Sequence, residues 1–230
     1  AGKKVDASRR LVEHWIATNE VIYGVTTGFG AFANVRISHR DIGQLQKNLI
    51  LSHSAGAGEP LPPQVVRAML LLRINALVKG YSGIRGSTLR FMTNFLNAGI
   101  TPIIPMQGSV GSSGDLVQLS HLALTMMGKG KVLYRDAIMD ARLALQKARL
   151  TPLELTAKEG LALINGTQMM TAYAALAVHE ARLLAKMIDV AAALSVEALK
   201  GTDTAFDERI QKLRPHPGQL AAAKHLRRLM

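Results

Sequence analysis

The sequence predicts a mainly α-helical protein, a bundle of long helices with a loop-rich region, forming part of a larger all-α assembly. Three observations carry this. Apolar residues recur at three- and four-residue spacing through most of the 230 positions. Thr167–Lys200 contains neither Pro nor Gly. Alternating strand patterns are almost absent, with short pieces such as Lys131–Tyr134 the exception.

Taken in order, residues 5–19 carry Leu11, Val12, Trp15 and Ile16 at helical spacing. Ser38–His39–Arg40–Asp41 leads into a helix over 42–53, where Leu45, Leu49 and Ile50 repeat. Pro62–Pro63 supplies the next helix start, because proline fits a first turn whose N–H groups have no intrahelical partner. That helix runs to a C-cap at Gly80. Another spans Ser82–Ala98, closed by Gly99 and the extended ITPIIP. Loops are expected at Tyr23–Ile37, Ala55–Pro63, Ile100–Ser113 and Thr202–Gly218. A helix over 167–200 would reach about 50 Å. Ala, Leu, Met and Val cover nearly its whole circumference, so it calls for burial nearly all round. A chain this size is too small to provide that, which implies completion by other subunits or further sequence.

Composition narrows the function classes. The formal charge of +12 is dispersed in pairs such as Lys3–Lys4 and Arg227–Arg228, and aromatics make up 4% of residues. Few rings could stack on bases, so no nucleic-acid partner is expected. Without cysteine there is no disulfide framework, thiolate metal site or cysteine nucleophile. No apolar run is long enough to suggest a membrane span, so no membrane partner is expected. AGKKVDASRR lacks a signal-peptide core and starts without Met, which suggests a chain trimmed or begun within a longer one.

Standard catalytic motifs mostly fail. GSVGSSGDL, residues 108–116, lacks the Gly-Lys-Ser/Thr ending of a phosphate loop. Gly111-Ser112-Ser113-Gly114 is one residue short of a nucleophile elbow. The histidines show no metal-ligand spacing, so no metal is expected. By composition alone, 108–114 reads as a turn or linker. Two further stretches stand out: YGVTTGFGAF (23–32), a glycine-dense loop with one Tyr, and KEGLALINGTQ (158–168), where Asn165-Gly166 interrupts helical sequence. Singly, Tyr23 reads as a packed ring, since a phenol is a poor base unaided, and Asn165 as a cap or turn residue.

Together, in this order, Tyr23-Gly24-x-x-Thr27-Gly28-Phe29-Gly30, GSVGSSGDL and Gly160-Leu161-Ala162-Leu163-x-Asn165-Gly166-Thr167 resemble the histidine/aromatic amino-acid ammonia-lyases and related aminomutases. The likeness extends to RPHPGQ at 214–219. It implies that 1–230 is the N-terminal portion of a helical catalytic domain, with active-site loops at 20–60 and 100–118 and a core helix at about 167–200. It implies a self-formed electrophile, 4-methylideneimidazole-5-one, built from Ser112, Ser113 and Gly114 with no external cofactor. Ser112 stands where the family usually has Ala, and Val117-Gln118 where a small residue or Thr precedes Pro. The resemblance further implies Tyr23 as catalytic base, Asn165 as a substrate-binding residue, and His53, in Ser52-His53, as the residue that selects substrate. Gln168 and Ser82-Gly83-Ile84-Arg85 resemble the histidine branch. The implied reaction is deamination of L-histidine to urocanate and ammonia by a cytoplasmic homotetramer. A phenylalanine/tyrosine ammonia-lyase or aminomutase, and an inactive helical assembly fragment, are the alternatives.

Overall fold

Helical periodicity becomes ten α-helices among the residues described by a computed structural model, 2–38 and 40–230. His39, read as part of a helix entry, lies outside them. The protein is mainly α, as its pattern predicts. Contacts divide the chain into two compact units, one up to Tyr173 and one from Ala174 onward.

The first unit contains α1 (Gly2–Ala17), α2 (Ile42–His53), β1 (Ala57–Pro60), α3 (Pro63–Leu77), α4 (Gly86–Asn97), β2 (Thr101–Pro102) and β3 (Pro105–Gln107). It continues through α5 (Leu116–Met126), β4 (Lys131–Tyr134), β5 (Ala137–Asp140), α6 (Ala141–Lys147), α7 (Glu159–Ile164) and the first turns of α8 (Gln168–Ala198). Ile50, Met69, Leu70, Met92, Phe95, Leu119, Leu122 and Met126 form its fully buried interior. Each large apolar side chain taken out of water contributes about 1.5–3 kcal/mol. Helices α2, α5 and α7 pack on one another, and α3 packs on α4.

Segments 55–63 and 100–113, expected as loops, contain strands. β1 pairs antiparallel with β3, with Ala57 opposite Gln107 and Pro60 opposite Pro105. Proline is tolerated because the ladder has only two strands, so its missing N–H can face away. β2, β4 and β5 form an antiparallel sheet in which Thr101 faces Leu133 and Lys131 faces Asp140. Arg135 and Asp136 link β4 to β5 with φ of 50° and 61°, the left-handed pair that a two-residue hairpin turn demands.

The helix expected from Ser82 begins at Gly86, because Arg85 is drawn elsewhere. Glu159, fully buried, accepts hydrogen bonds from Arg85 Nε at 3.0 Å and Nη2 at 2.6 Å, and from Thr88 Oγ1 at 2.6 Å. It also accepts from the backbone N–H and Oγ1 of Thr156, at 3.0 and 3.1 Å. Burial works to raise its pKa, but these donors outweigh burial and hold the carboxyl below its ordinary range.

The second unit comprises the rest of α8, a 3-10 turn at Thr204–Phe206, α9 (Glu208–Lys212) and α10 (Pro217–Leu229). α9 lies within the expected 202–218 loop. Asp207 starts it by accepting the Arg209 N–H at 2.8 Å, as an N-cap does. His225 Nδ1 lies 2.7 Å from Asp189 Oδ2, joining α10 to α8. The helix expected over 167–200 spans Gln168–Ala198, ended by Gly201, whose N–H returns to Val196 O. Leu183, Leu184, Met187, Ile188 and Leu194 on it are exposed in the single chain. Among the described residues, no helix is long and apolar enough to cross a membrane.

Glu159→Ala is expected to cost about 3 kcal/mol, because it strands the Arg85 guanidinium and two threonine hydroxyls. Because the folded pKa is depressed, the stabilisation is present above the unfolded carboxyl pKa and lost as pH falls through the folded one. Urea unfolding at several acidic pH values should show that loss in the parent chain and a shallower slope in the variant.

Candidate active site

The site is assembled at the ends of the three helices that pack together. Gln46 Oε1, on α2, accepts the N–H groups of Gly160 and Leu161 at 2.9 and 3.4 Å, and Gly43 faces Leu155 O. Hence α2 and α7 run the same way. Gly114 bridges to Gly166, so α5 starts where α7 ends. The end of α2, the start of α5 and the end of α7 therefore share one end of the trio. They carry His53, Ser113-Gly114 and Asn165 respectively.

The Gly-Ser loop is held there by backbone. Gly166 N–H donates to Ser113 O at 3.2 Å, and Asp115 N–H donates to Gly166 O at 2.7 Å. Gly114 sits between them with φ of 90°, and a Cβ there would fall on the Gly166 carbonyl. Only glycine meets both the dihedral and the approach. Ser113, with φ of 57°, is a left-handed non-glycine residue, a strain of about 1–3 kcal/mol that the surrounding ladder sustains. Ser109 Oγ donates to Gly114 O at 3.2 Å across the loop. Among the described residues, the Gly114 N–H and the Ser112 carbonyl have no hydrogen-bond partner. A ring across residues 112–114 would join those two groups. Ser112 and Ser113 are exposed, whereas Gly114 and Asp115 are buried. The residues present fit a loop that cyclises on itself.

Asp115 has a role that local sequence does not announce. It directly precedes α5, yet its side chain does not cap that helix. Its Oδ2 instead accepts Met169 and Met170 N–H at 2.8 and 3.1 Å, capping α8, while Oδ1 is buried without a partner. A carboxylate there also complements the positive end of the helix dipole. On the opposite side of Gly166 lies Arg73 of α3, which donates through Nη1 to Gln168 Oε1 at 2.8 Å and through Nη2 to Ala162 O. Burial lowers the Arg73 pKa to about 10. A Cβ on Gly166 would strike both Arg73 and Gln168. Gln168 and Arg85, noted for their resemblance to the histidine branch, thus hold a guanidinium and a buried carboxylate. Asn165 itself is exposed, with no side-chain hydrogen bond among the described residues.

The tyrosine loop is built on two buried threonines. Thr26 Oγ1 donates to Glu20 O at 2.6 Å and accepts Ile22 N–H at 2.8 Å; Thr27 Oγ1 accepts Gly24 N–H at 3.2 Å. Tyr23 is exposed, with its hydroxyl oxygen 3.4 Å from the Gly30 N–H and its ring edge-on to Phe29 at 6.2 Å. Phe29, Phe32, Leu45, Leu49, Ser52 and His53 line an apolar cavity of ≈ 320 Å³. His53 Nδ1 is 2.9 Å from Leu49 O. A carbonyl can only accept, so Nδ1 is the donor in this contact, and Nε2 points away from it. The structure thus joins Ser113 and Gly114 to the Asn165 turn, and Tyr23 to the His53 cavity through Phe29. No hydrogen bond links the two groups among the described residues.

Fold and site together define a helical protein with a glycine-framed, self-contained loop at convergent helix ends. The chain matches the aromatic amino acid lyase family over residues 1–230 and belongs to it. It is 50% identical over its whole length to a histidine ammonia-lyase of Alkaliphilus oremlandii (strain OhILAs), spanning 45% of that relative. The crystal structure of histidine ammonia-lyase from Trypanosoma cruzi superposes with a TM-score of 0.93 at 43% identity, over 99% of this chain and 44% of that one. Tyrosine aminomutase from Streptomyces globisporus gives a TM-score of 0.92 at 38% identity, over 100% of this chain and 44% of that one. The chain therefore spans less than half the length of these relatives.

Asp115→Ala should destabilise the start of α8 by about 1–2 kcal/mol, read as faster hydrogen exchange at Met169 and Met170 with α4 unchanged. Gly114→Ala should open the ladder itself, read as exchange at the Asp115 and Gly166 amides; protected amides there would contradict the assigned contact.

Proposed function

We propose that the protein to which this chain belongs deaminates L-histidine to urocanate and ammonia, using an electrophile that Ser112, Ser113 and Gly114 form from themselves. The observation that carries this reading is the unpaired Gly114 amide, set between pinned neighbours and facing a loop of small residues. Whole-chain identity to histidine ammonia-lyases supports the substrate. In ring closure the Gly114 nitrogen bonds to the Ser112 carbonyl carbon, and the carbonyl oxygen leaves as one water with the Gly114 and Ser113 amide protons, so that a C=N bond forms between the Ser112 carbon and the Ser113 nitrogen. The Ser113 α-proton and β-hydroxyl leave as a second water. The Gly166 N–H on Ser113 O withdraws electron density from that peptide and makes the Gly114 N–H more acidic.

The product, 4-methylideneimidazole-5-one, supplies an electrophilic carbon toward the substrate amine without an external cofactor. Tyr23 accepts the substrate β-proton as general base. Loss of that proton and departure of the amine as ammonia leave the trans-2-enoate. Asn165 offers its unengaged amide to the ring or the substrate. His53 presents Nε2 to the imidazole of histidine, within a cavity whose apolar walls hold the ring. The whole protein is proposed to be a cytoplasmic homotetramer, in which residues 1–230 form the N-terminal part of the catalytic domain. The exposed apolar residues of α8 support assembly with further helices. The likeness to tyrosine aminomutase favours a second reading, in which a tyrosine or phenylalanine is the substrate.

Turnover of histidine, tyrosine and phenylalanine by the full-length protein separates the two readings: urocanate from histidine is expected, and turnover of tyrosine alone would replace the first with the second. Ser113→Ala should abolish turnover while Ser112→Ala retains it, and full activity in the Ser113 variant would rule out the electrophile. His53→Leu should reduce turnover of histidine far more than any turnover of phenylalanine; equal losses would make His53 structural.

A further inference from the structure

The Gly-Ser loop leaves from β3 and returns into α5, so its span is set by how those two stems are held. β3 is fixed through its pairing with β1. The start of α5 is fixed by the Asp115 contacts to Gly166 and α8. Between the stems, Gln118 Nε2 donates to Met106 O at 3.2 Å, the one side-chain hydrogen bond joining them among the described residues. Beside it Gly108 packs so tightly on Val117 that a Cβ would approach its Cγ1 to 2.7 Å. Gln118 is fully buried, and its Oε1 has no partner. A half-satisfied buried amide is a poor choice for stability, since an apolar side chain of the same size would fill the site without desolvating an unpaired oxygen. What the amide provides is position: one donor, directed at a β3 carbonyl two residues before the loop opens.

We propose that Gln118 is a positioning residue for ring closure, clamping β3 to the first turn of α5 so that the loop brings the Gly114 nitrogen onto the Ser112 carbonyl. The inference rests on the ring closure proposed above. Gln118 does not touch the reacting atoms; it sets the distance the loop must cover. Losing the clamp lets the stems part, which reduces the fraction of time the two atoms spend in contact.

The test follows ring closure rather than catalysis. Full-length wild-type and Gln118→Met chains are synthesised in a cell-free system, and their intact masses are followed over time, with circular dichroism and thermal unfolding on the same samples. The wild type should become two water molecules lighter. Gln118→Met should fold with a thermal midpoint no lower than wild type, because the unpaired oxygen is gone, yet lose its waters about tenfold more slowly. A folded Gln118→Met chain that closes at the wild-type rate overturns the proposal. So does one that fails to fold, because the amide would then be structural. A wild-type chain that keeps its encoded mass overturns the electrophile reading, and the inference with it.

Discussion

The short backbone ladder between Ser113–Asp115 and Gly166 is the constraint on which the rest of the site depends. Two hydrogen bonds, from Gly166 N–H to Ser113 O and from Asp115 N–H to Gly166 O, join the start of α5 to the turn between α7 and α8. A Cβ on Gly114 would fall on the Gly166 carbonyl and block both contacts, and one on Gly166 would strike Arg73 and Gln168. Once the ladder forms, the Asp115 carboxylate reaches the first amides of α8, so a single residue ties the start of α5 to the first turn of α8. The ladder also leaves the Gly114 N–H without a partner while fixing the peptide groups on either side. An unpaired amide is usually a defect; here it is the nucleophile that the proposed chemistry needs.

Electrostatics around the ladder are arranged by burial. Arg73 lies under Gly166 with a carbonyl and an amide oxygen as partners, and burial lowers its pKa to about 10. Farther along α7, Glu159 collects enough donors to remain ionised despite being fully buried. The first residue holds the end of α7, and the second holds its beginning against the segment before α4. With α7 fixed at both ends, Asn165 is presented on a turn whose own side chain is uncommitted. A positioned but unengaged amide is what the proposed substrate contact requires.

Much of this was legible in the sequence, and for identifiable reasons. The helix over 42–53 and the long helix ending before Gly201 follow from periodicity and from the placement of glycine, both local signals. Two of the three glycine-bearing motifs marked the loops that meet in the ladder between Gly114 and Gly166. What stayed hidden was pairwise. The β1–β3 ladder rests on prolines and glycines that read as loop until two distant segments meet. The delayed start of α4 depends on Glu159, seventy-four positions from Arg85. Asp115 directly precedes α5 yet caps α8, Arg73 carries no local signal, and Gln118, marked only as standing where related chains have Pro, shows its contact to β3 only in the fold. Such roles are decided by tertiary partners, which no local pattern encodes.

The central claim is that this ladder holds residues 112–114 in a geometry that closes into a ring. Peptide-level mass spectrometry of the folded full-length protein tests it most directly. The account predicts that the peptide containing Ser112, Ser113 and Gly114 is two water molecules lighter than its sequence, with every other peptide at its encoded mass. The same peptide at its encoded mass, in protein that turns over histidine, would contradict it.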